Sequence, residues 1–314
     1  MKIVVVSLNP SIDWQYSVEN FALGELNRVE CVRQDVGGKG INVCVALKNL
    51  GLEPICTGIN FSQNGDVLTN KLDMLGICHD FVNVDGAIRT NIKLYENSSG
   101  AMTELNQPGA FVPEDALDLL AKKICGHEED SILVLSGSLP KGVPADYYSR
   151  LCENWAGKVI LDADGDALSI AVDGNSPPFA IKPNLSELEN TFNINISAGI
   201  SAPKDIAEFC RTRLISKGVS LVCVSMGDEG AVLVTKSGAW FCPALDVDVK
   251  AVQGAGDSMV AGILYAMHCD LPEEKYLTNA VAAAAASVIL DGTDMCTREG
   301  FEMMYAHTRL LQKT

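Results

Sequence analysis

The most informative run of the sequence is Val252-Gln253-Gly254-Ala255-Gly256-Asp257-Ser258, which stands directly before an apolar helical pattern over residues 259–267. Glycine has no Cβ, so the two glycines allow the backbone to turn its N–H groups toward one point. The dipole of the helix that follows adds positive potential at the same point. The run therefore predicts an anion-binding turn at residues 254–256, at the start of a helix.

Asp257 stands beside this turn and is open to two interpretations. A carboxylate next to anion-binding amides suits phosphoryl transfer, because the amides hold the phosphoryl oxygens while the carboxylate takes a proton from the attacking hydroxyl. Aspartate is also a favoured N-cap residue, and an isolated Gly-x-Gly-Asp turn fits a simple helix cap. A dinucleotide-binding turn fits less well, since Met259 stands where that fingerprint has its third glycine.

Composition narrows the classes of partner. The 314 residues carry a formal net charge of −16, which disfavours nucleic acid and anionic membrane, so we expect neither as a partner. The eleven cysteines are scattered singly, and many lie in apolar runs, which is typical of reduced, buried cysteine. With no signal peptide pattern at the N-terminus, we expect a cytoplasmic protein.

Short β-branched runs alternate with helical patterns along most of the chain. This alternation predicts an α/β fold, in which a mostly parallel sheet is covered by helices on both faces and ligands bind at the carboxyl ends of the strands. Two segments, 14–34 and 88–104, alternate like strands without helices between them and predict a small antiparallel sheet that projects from the main domain. This sheet fits a lid that also mediates dimerisation, and it fits equally a hairpin without a function. The expected strands cover residues 3–8, 54–57, 132–136, 158–162, 180–182, 221–225 and 231–235, and the expected helices cover residues 41–50, 67–75, 113–125, 145–155, 203–217, 258–267, 273–290 and 299–311.

Two motifs near the N-terminus favour a polar ligand. Asp13 follows a strand in a turn, where its carboxylate could accept hydrogen bonds from sugar hydroxyls, although aspartate is also an ordinary turn residue. The run Gly37-Gly38-Lys39-Gly40-Ile41-Asn42 opens a helix with a backbone nest and a cation, which suits an anionic or polyol ligand. It is not a Walker A loop, because no Ser or Thr follows Lys39.

Four basic residues form a candidate phosphate clamp. Arg89 and Lys93 lie four positions apart on a predicted strand, so their side chains leave the same face. Together with Arg28 and Lys39 they could bind a substrate phosphate, since guanidinium groups bind phosphate in a bidentate manner. The alternative for each residue singly is a solvated basic surface.

Two further motifs point to a nucleotide. Asn184 and Glu187, three positions apart at a helix start, could hold the water shell of Mg²⁺ bound to nucleotide phosphates. The same pair also fits a helix capping box, and the two interpretations are evenly balanced. The glycines of the turn at residues 225–230 allow close approach by a nucleotide, although a hairpin turn needs them too.

Taken in their order along the sequence, these motifs resemble those of the PfkB (ribokinase-like) carbohydrate kinases over the whole chain. Within that family the chain resembles the branch of 1-phosphofructokinases and tagatose-6-phosphate kinases. The segments that carry the resemblance are LNPSID (8–13), GELNR (24–28), GGKGIN (37–42), RTNIKL (89–94), ELNQPG (104–109), SGSLPKGVP (136–144), IKPNLSELE (181–189), VSMGDEGA (224–231) and QGAGDSMVAG (253–262). The resemblance implies one ribokinase-like kinase domain over residues 1–314, with the lid at 14–34 and 88–104 and a homodimer formed through that lid.

The resemblance also implies chemistry. It implies ATP and Mg²⁺, and a sugar phosphate with a free primary hydroxyl as the acceptor. Fructose 1-phosphate is the expected substrate, tagatose 6-phosphate is the alternative, and a catalytically weak sugar-phosphate sensor is the non-enzyme alternative. By position, the resemblance makes Asp257 the catalytic base and makes Gly254, Ala255 and Gly256 the anion hole. The sugar ligands would be Asp13, Gly38, Lys39 and Asn42, and the phosphate ligands would be Arg89, Arg28, Lys93 and Ser138. The nucleotide ligands would be Lys182, Asn184, Ser225, Gly227 and Gly230, and Glu187 would bind the metal through water.

Three runs differ from the usual pattern of that branch. Residues 59–62 read Ile-Asn-Phe-Ser in place of a Phe-Leu-Gly-Gly-like run, and residues 251–253 read Ala-Val-Gln in place of Ser-Thr-Val. Thr293-Asp294 replaces a Thr-Arg pair. We expect these differences to affect substrate choice and nucleotide affinity rather than the type of reaction.

Overall fold

Fourteen strands and ten α-helices form the regular structure of residues 1–127, 131–196 and 202–313, which are the residues that the computed structural model describes. The strands are β1 (Lys2–Ser7), β2 (Ser11–Val18), β3 (Cys31–Gly37), β4 (Pro54–Gln63), β5 (Cys78–Ala87), β6 (Arg89–Glu96), β7 (Ala101–Asn106), β8 (Ser131–Ser136), β9 (Val159–Asp162), β10 (Ala180–Ile181), β11 (Leu221–Ser225), β12 (Ala231–Thr235), β13 (Ala239–Cys242) and β14 (Leu311–Lys313). The helices are α1 (Lys39–Asn49), α2 (Gly65–Met74), α3 (Glu114–Cys125), α4 (Tyr147–Glu153), α5 (Gly165–Asp173), α6 (Leu185–Phe192), α7 (Ala202–Phe209), α8 (Ala255–His268), α9 (Glu273–Val288) and α10 (Arg298–Tyr305).

The main sheet has ten strands in the order β14-β13-β12-β11-β10-β9-β8-β1-β4-β5. The seven strands from β11 to β5 run parallel, and β12, β13 and β14 are added antiparallel at one edge. Strands β8, β9 and β10 are buried along their whole length, because helices flank the sheet. This confirms the predicted α/β fold with a mostly parallel sheet.

The small sheet consists of β2, β3, β6 and β7, in the order β3-β2-β6-β7. Its outer pairs are antiparallel, as predicted, but the two central strands β2 and β6 run parallel. The sheet is therefore mixed rather than wholly antiparallel. The reason is topological: β2 and β6 each follow a parallel strand of the main sheet and leave it in the same direction.

Every predicted strand and helix is present, with shifted ends. The helix expected over residues 299–311 ends at Tyr305, because the backbone N–H and the Oγ1 of Thr308 both bind the Tyr305 carbonyl and turn the chain. The helix expected to Lys217 loses its α-helical form after Phe209 and continues as a π-helical and a 3₁₀ turn. The predictions did not include β5, α5, β13 and β14. Within the described residues, no helix has the length and apolar character needed to span a bilayer.

Candidate active site

Polar side chains collect at the carboxyl edge of the main sheet. The parallel register sets Ser7 of β1 opposite Ser136 of β8, and Ser136 opposite Asp162 of β9. Lys182 follows β10 directly, and its N–H donates to the Leu161 carbonyl beside Asp162. Apolar strands thus end in hydroxyl, carboxylate and ammonium groups at one edge, which is where open α/β sheets bind ligands.

A cavity of about 1400 Å³ opens at this edge, between the small sheet and the start of helix α8. Most of the residues predicted for the site line it, so the fold brings distant parts of the sequence together. They are Asp13, Gly38, Lys39, Asn42, Arg89, Lys93, Lys182, Asn184, Glu187, Ser225, Gly227, Gly230, Gly254, Ala255, Gly256 and Asp257.

Asp257 lies in the first turn of α8, and Gly254, with φ 77°, is the N-cap of that helix. The capping interpretation of Asp257 is therefore wrong. The side chain instead points across to helix α1, where its Oδ2 accepts a hydrogen bond of 2.8 Å from Asn42 Nδ2. Because Asp257 lines the cavity and yet is only 5% exposed, its carboxylate is largely removed from water beside the glycine turn.

The surroundings of Asp257 raise its pKa to about 6. Burial is the largest cause, and the negative charge of Asp162 is the second. The hydrogen bond from Asn42 and the charges of Lys39 and Lys182 lower the pKa and only partly offset these effects. A carboxylate with a pKa near 6 is a stronger base than an exposed aspartate and still loses its proton at neutral pH, as a general base requires.

Two lysines share one buried carboxylate. Asp162 Oδ1 lies 3.5 Å from Lys39 Nζ and 3.4 Å from Lys182 Nζ. Asp162 is the largest cause of a raised Lys39 pKa, and Glu187, 3.4 Å from Lys39 Nζ, adds to it. A Cβ placed on Gly256 would lie 3.1 Å from Lys182 Nζ, so this ammonium lies against the glycine turn.

A second, smaller cavity of about 140 Å³ adjoins the first and shares Lys39 and Arg89 with it. Arg89 is half-buried, burial lowers its pKa, and its Nε donates to the Asn9 carbonyl. Ser138 also lines this cavity and accepts a hydrogen bond from Asn9 Nδ2. A guanidinium and an ammonium that converge with a hydroxyl can bind a phosphate.

The other two basic residues of the predicted clamp, Lys93 and Arg28, do not line the small cavity. Lys93 is buried and forms an ion pair with Asp13, with 3.1 Å between Nζ and Oδ2. Arg28 is exposed in the loop between β2 and β3 and lines neither of these two cavities of its own chain. The position of Arg28 in the single chain therefore lends no support to its predicted part in the clamp.

Asp13 is held firmly where β2 leaves the main sheet. Its Oδ1 accepts hydrogen bonds from Ser11 Oγ at 2.8 Å and Asn91 Nδ2 at 2.9 Å, while Oδ2 faces Lys93. A Cβ on Gly37 would lie only 2.8 Å from Oδ2, so a side chain at this position would displace the Asp13 carboxylate. The result is a fixed acceptor at the wall of the cavity, suited to sugar hydroxyls.

On the opposite side of the cavity, Asn184 and Glu187 form the capping box that was one of their two interpretations. Asn184 Oδ1 accepts from the Glu187 N–H at 2.7 Å, and Glu187 Oε2 accepts from the Asn184 N–H at 2.8 Å. The remaining oxygen, Oε1, faces Lys39. Glu187 can thus cap helix α6 and still present one oxygen to the site.

The turn between β11 and β12 borders the same side of the cavity. It is a 3₁₀ turn over Gly227–Glu229, closed by a hydrogen bond from the Met226 N–H to the Gly230 carbonyl. Gly227 and Gly230 have φ of 61° and 113°. A Cβ on Gly230 would lie 2.2 Å from the Cys242 carbonyl oxygen, so packing already requires this glycine, whatever its part in binding.

The small sheet touches the body of the protein at two of the runs that differ from the branch pattern. Gln253 Nε2 donates to Glu104 Oε1 of β7 at 3.2 Å, beside the glycine turn. On β3, Arg33 pairs with Asp294 at 2.5 Å, and Asp35 accepts a hydrogen bond from Thr293 at 3.1 Å. These contacts hold the small sheet over the cavity.

Sequence reasoning missed Asp162 and Asn9. Asp162 was only the last residue of a predicted strand, and Asn9 was part of a quoted motif without a role. A polar residue at the carboxyl end of a buried strand was the signal that could have identified Asp162. Its partners follow from register, which sequence does not reveal.

Comparison with known proteins gives consistent matches. Residues 1–299 match the family described as pfkB family carbohydrate kinase. A 1-phosphofructokinase of Borreliella burgdorferi is 32% identical over 311 residues, and one of Escherichia coli is 32% identical over 316 residues; each match covers 98% of both proteins. The solved structure of phosphofructokinase-2 from Escherichia coli in complex with substrates and products superposes with a TM-score of 0.90 at 27% identity, covering 98% of this chain and 99% of that one.

The family match and the relatives extend over nearly the whole chain, and the geometry of the two cavities agrees with them. The chain therefore belongs to the pfkB family of carbohydrate kinases, which are phosphotransferases with an alcohol group as acceptor.

Proposed function

We propose that the protein transfers the γ-phosphoryl group of ATP to the free primary hydroxyl of fructose 1-phosphate, giving fructose 1,6-bisphosphate and ADP. The observation that carries the proposal is the position of Asp257, buried beside the glycine turn at the wall of the large cavity. Relatives that are 32% identical over 98% of their length are named 1-phosphofructokinases. This favours fructose 1-phosphate over tagatose 6-phosphate.

In this proposal Asp257 is the general base. Its carboxylate accepts the proton of the acceptor hydroxyl as the oxygen attacks the γ-phosphorus, and Asn42 keeps the carboxylate oriented. The N–H groups of Gly254, Ala255 and Gly256 form the anion hole, because the N-terminal amides of a helix have no partners within it. Lys182, against Gly256, adds positive charge where negative charge spreads in the transition state.

The small cavity binds the phosphate that the substrate already carries. Arg89, Lys39 and Ser138 supply a guanidinium, an ammonium and a hydroxyl within a space of about 140 Å³. Asp13, Gly38 and Asn42 meet the sugar hydroxyls. An acceptor anchored at one end through phosphate presents its other end to Asp257, which gives the entropic advantage of a fixed orientation.

The turn that contains Ser225, Gly227 and Gly230 borders the nucleotide, with Asn184 and Lys182 toward its phosphates. Within the described residues, no group of three or more His, Cys, Asp or Glu side chains could hold a metal ion by itself. The single carboxylate of Glu187 beside the proposed nucleotide phosphates fits Mg²⁺, because this ion commonly keeps several waters and binds through one carboxylate and the substrate phosphates. Glu187 Oε1 would hold it through water, and the ion would neutralise charge on the phosphates.

The chain would act as one kinase domain over residues 1–314, with the small sheet as its lid. The contacts of Gln253 with Glu104 and of Arg33 with Asp294 describe a lid held over the cavity. A closed lid excludes water from the γ-phosphate and so limits wasteful hydrolysis of ATP.

The lid also offers a surface for a second copy of the chain. Large apolar side chains on it are exposed, including Leu23 at 91%, Leu26 at 81% and Leu105 at 60%. We expect a solution mass of twice the 33.5 kDa of one chain, and a lower mass for the Leu105→Glu variant. Sedimentation equilibrium measures this, and a wild-type protein that remains a single chain at micromolar concentration contradicts the dimer.

The compartment is proposed on the state of the cysteines. All eleven lie in the described residues and are free thiols, and seven of them are buried. Burial raises the pKa of Cys210, Cys223 and Cys296, which makes these thiols unreactive. Reduced cysteine in this number agrees with a cytoplasmic enzyme.

A coupled assay of ADP release tests the substrate. Fructose 1-phosphate, tagatose 6-phosphate, fructose 6-phosphate, fructose and tagatose are compared at equal concentration with ATP and Mg²⁺. We expect fructose 1-phosphate to give a kcat/KM at least about tenfold above the other acceptors, because one misplaced hydroxyl costs on the order of 1–3 kcal/mol at a site built to bind it. A preference for tagatose 6-phosphate contradicts the proposed acceptor. Measurable binding without turnover on any acceptor would indicate a sensor.

A further inference from the structure

Asp162 ends strand β9 at the centre of the site, and its side chain is completely buried. Its Oδ1 is shared by the ammonium groups of Lys39 and Lys182. Its Oδ2 is also buried and has no hydrogen-bond partner among the described residues. A buried carboxylate oxygen without a partner is unfavourable for stability, so a purely structural ion pair explains this arrangement poorly.

The two lysines belong to different halves of the site. Lys39 lines the small cavity together with Arg89 and Ser138, where the substrate phosphate is proposed to bind. Lys182 is only 4% exposed and lies against Gly256 of the glycine turn, where the transferring phosphoryl group is proposed to bind. The carboxylate of Asp162 is therefore the link between the acceptor half and the donor half.

The distances from Asp162 to the lysines leave room for ligands. At 3.4 and 3.5 Å, both contacts are longer than a strong charged hydrogen bond. Each ammonium has three donors, so each can keep its attraction to Asp162 and still donate to a phosphate oxygen.

We propose that Asp162 is a positioning residue, which holds Lys39 at the acceptor cavity and Lys182 at the glycine turn in a fixed relation to Asp257. The inference rests on the function proposed above. Asp162 touches neither substrate in this proposal and acts through the two lysines and through its charge. Without that charge, both ammonium groups repel each other and lose their common anchor.

The charge of Asp162 also reaches the base. It raises the pKa of Asp257, second only to burial, whereas Asn42, Lys39 and Lys182 lower it. These groups face Asp257 from helix α1, from the end of β9 and from the residue after β10. Removal of the Asp162 charge must therefore lower the pKa of Asp257, and removal of the Lys182 charge must raise it. The opposite signs give a test that loss of stability alone would not imitate.

The first experiment follows the carboxyl signal of Asp257 by NMR in the ligand-free protein, with Asp257→Asn used to assign it. We expect a titration midpoint near pH 6 in the wild type, as the surroundings of Asp257 imply, and a midpoint about one pH unit lower in Asp162→Asn. The matched control is Asp166→Asn, an exposed aspartate in the first turn of α5, which should leave the midpoint in place. An unmoved midpoint in Asp162→Asn overturns the inference.

The second experiment is kinetic. Asp162→Asn should lower kcat about 10- to 100-fold, as expected when reacting groups are displaced, and should move the acid limb of the kcat/KM profile to lower pH. A kcat within twofold of the wild type overturns the inference.

Should Asp162→Asn not fold, Lys182→Met takes its place, and a midpoint of Asp257 that does not rise in that variant overturns the inference equally. A wild type without turnover contradicts the proposed function, whereas the titration in ligand-free protein judges Asp162 independently of turnover.

Discussion

Replacement of Asp257 by asparagine should lower kcat by about 10²–10⁴, the usual scale for loss of a general base. Asparagine has nearly the same shape and can still accept the hydrogen bond from Asn42, but it cannot take a proton. Binding of ADP and of fructose 1-phosphate, measured by calorimetry, should stay within a few-fold of the wild type. Asp66→Asn, the exposed acid in the first turn of helix α2, is the matched control and should leave kcat unchanged.

The same variant should be more stable than the wild type at pH 8. The folded protein raises the pKa of Asp257 from 3.8 to about 6, so between these values the folded state holds a proton that the unfolded state has lost. Wild-type stability therefore falls as pH rises through this window, by ~3 kcal/mol if the whole shift is expressed. Urea unfolding should show the advantage of Asp257→Asn above pH 6 and its disappearance below pH 4.

Together these readouts separate a base from a structural residue. A structural carboxylate would lose stability on replacement, whereas a buried base gains stability and loses turnover. Near-normal turnover in Asp257→Asn would remove Asp257 from its role. A loss of turnover together with a loss of stability at pH 8 would indicate that the variant damages the helix start instead.

Replacement of Arg89 by methionine should lower kcat/KM for fructose 1-phosphate by about 10²–10³. The reason is that a charged hydrogen bond to a buried phosphate is worth several kcal/mol when its partner is removed. Activity on unphosphorylated fructose, which has no phosphate for Arg89 to bind, should change much less. The measured quantity is the ratio of kcat/KM for the two acceptors, so a general loss of folded enzyme cancels.

Two further variants of arginine sharpen the test. Arg89→Lys keeps the charge but loses the planar, bidentate geometry, so it should lie between the wild type and Arg89→Met. Arg150→Met removes an exposed arginine on helix α4 that pairs with Asp146 at 2.9 Å, and it should leave the ratio unchanged. A ratio that Arg89→Met does not alter would assign the substrate phosphate to a place other than the small cavity.

Local sequence chemistry predicted the parts of this protein that depend on neighbouring residues. The glycines at 254 and 256 with Asp257 predicted a turn before a helix, and Gly254 indeed adopts φ 77° at the N-cap of α8. The alternation of strands and helices predicted the sheet, because each buried strand carries its own β-branched run. The match of residues 1–299 to one family confirmed the identification made from the order of the motifs.

Other features of the site depend on a partner that is distant in sequence. Lys93 and Arg89 leave the same strand face, but Lys93 forms an ion pair with Asp13 of the neighbouring strand. The central strands of the small sheet pair in parallel, which alternation alone could not show. Asn184 and Glu187 fit both a cap and a metal role, and the fold realises the cap while leaving one oxygen directed at Lys39.

The sequence alone therefore determined the glycine turn and the alternation of strands and helices, since both follow from short-range propensity and residue type. It determined the kind of chemistry through the order of its motifs. Only the tertiary structure decided that Asp162, one of 40 acidic residues, binds both Lys39 and Lys182. It also decided that Asp257 is buried with a raised pKa. The physical reason is that electrostatic energies depend on distance and burial, and strand register, rather than position along the chain, determines both.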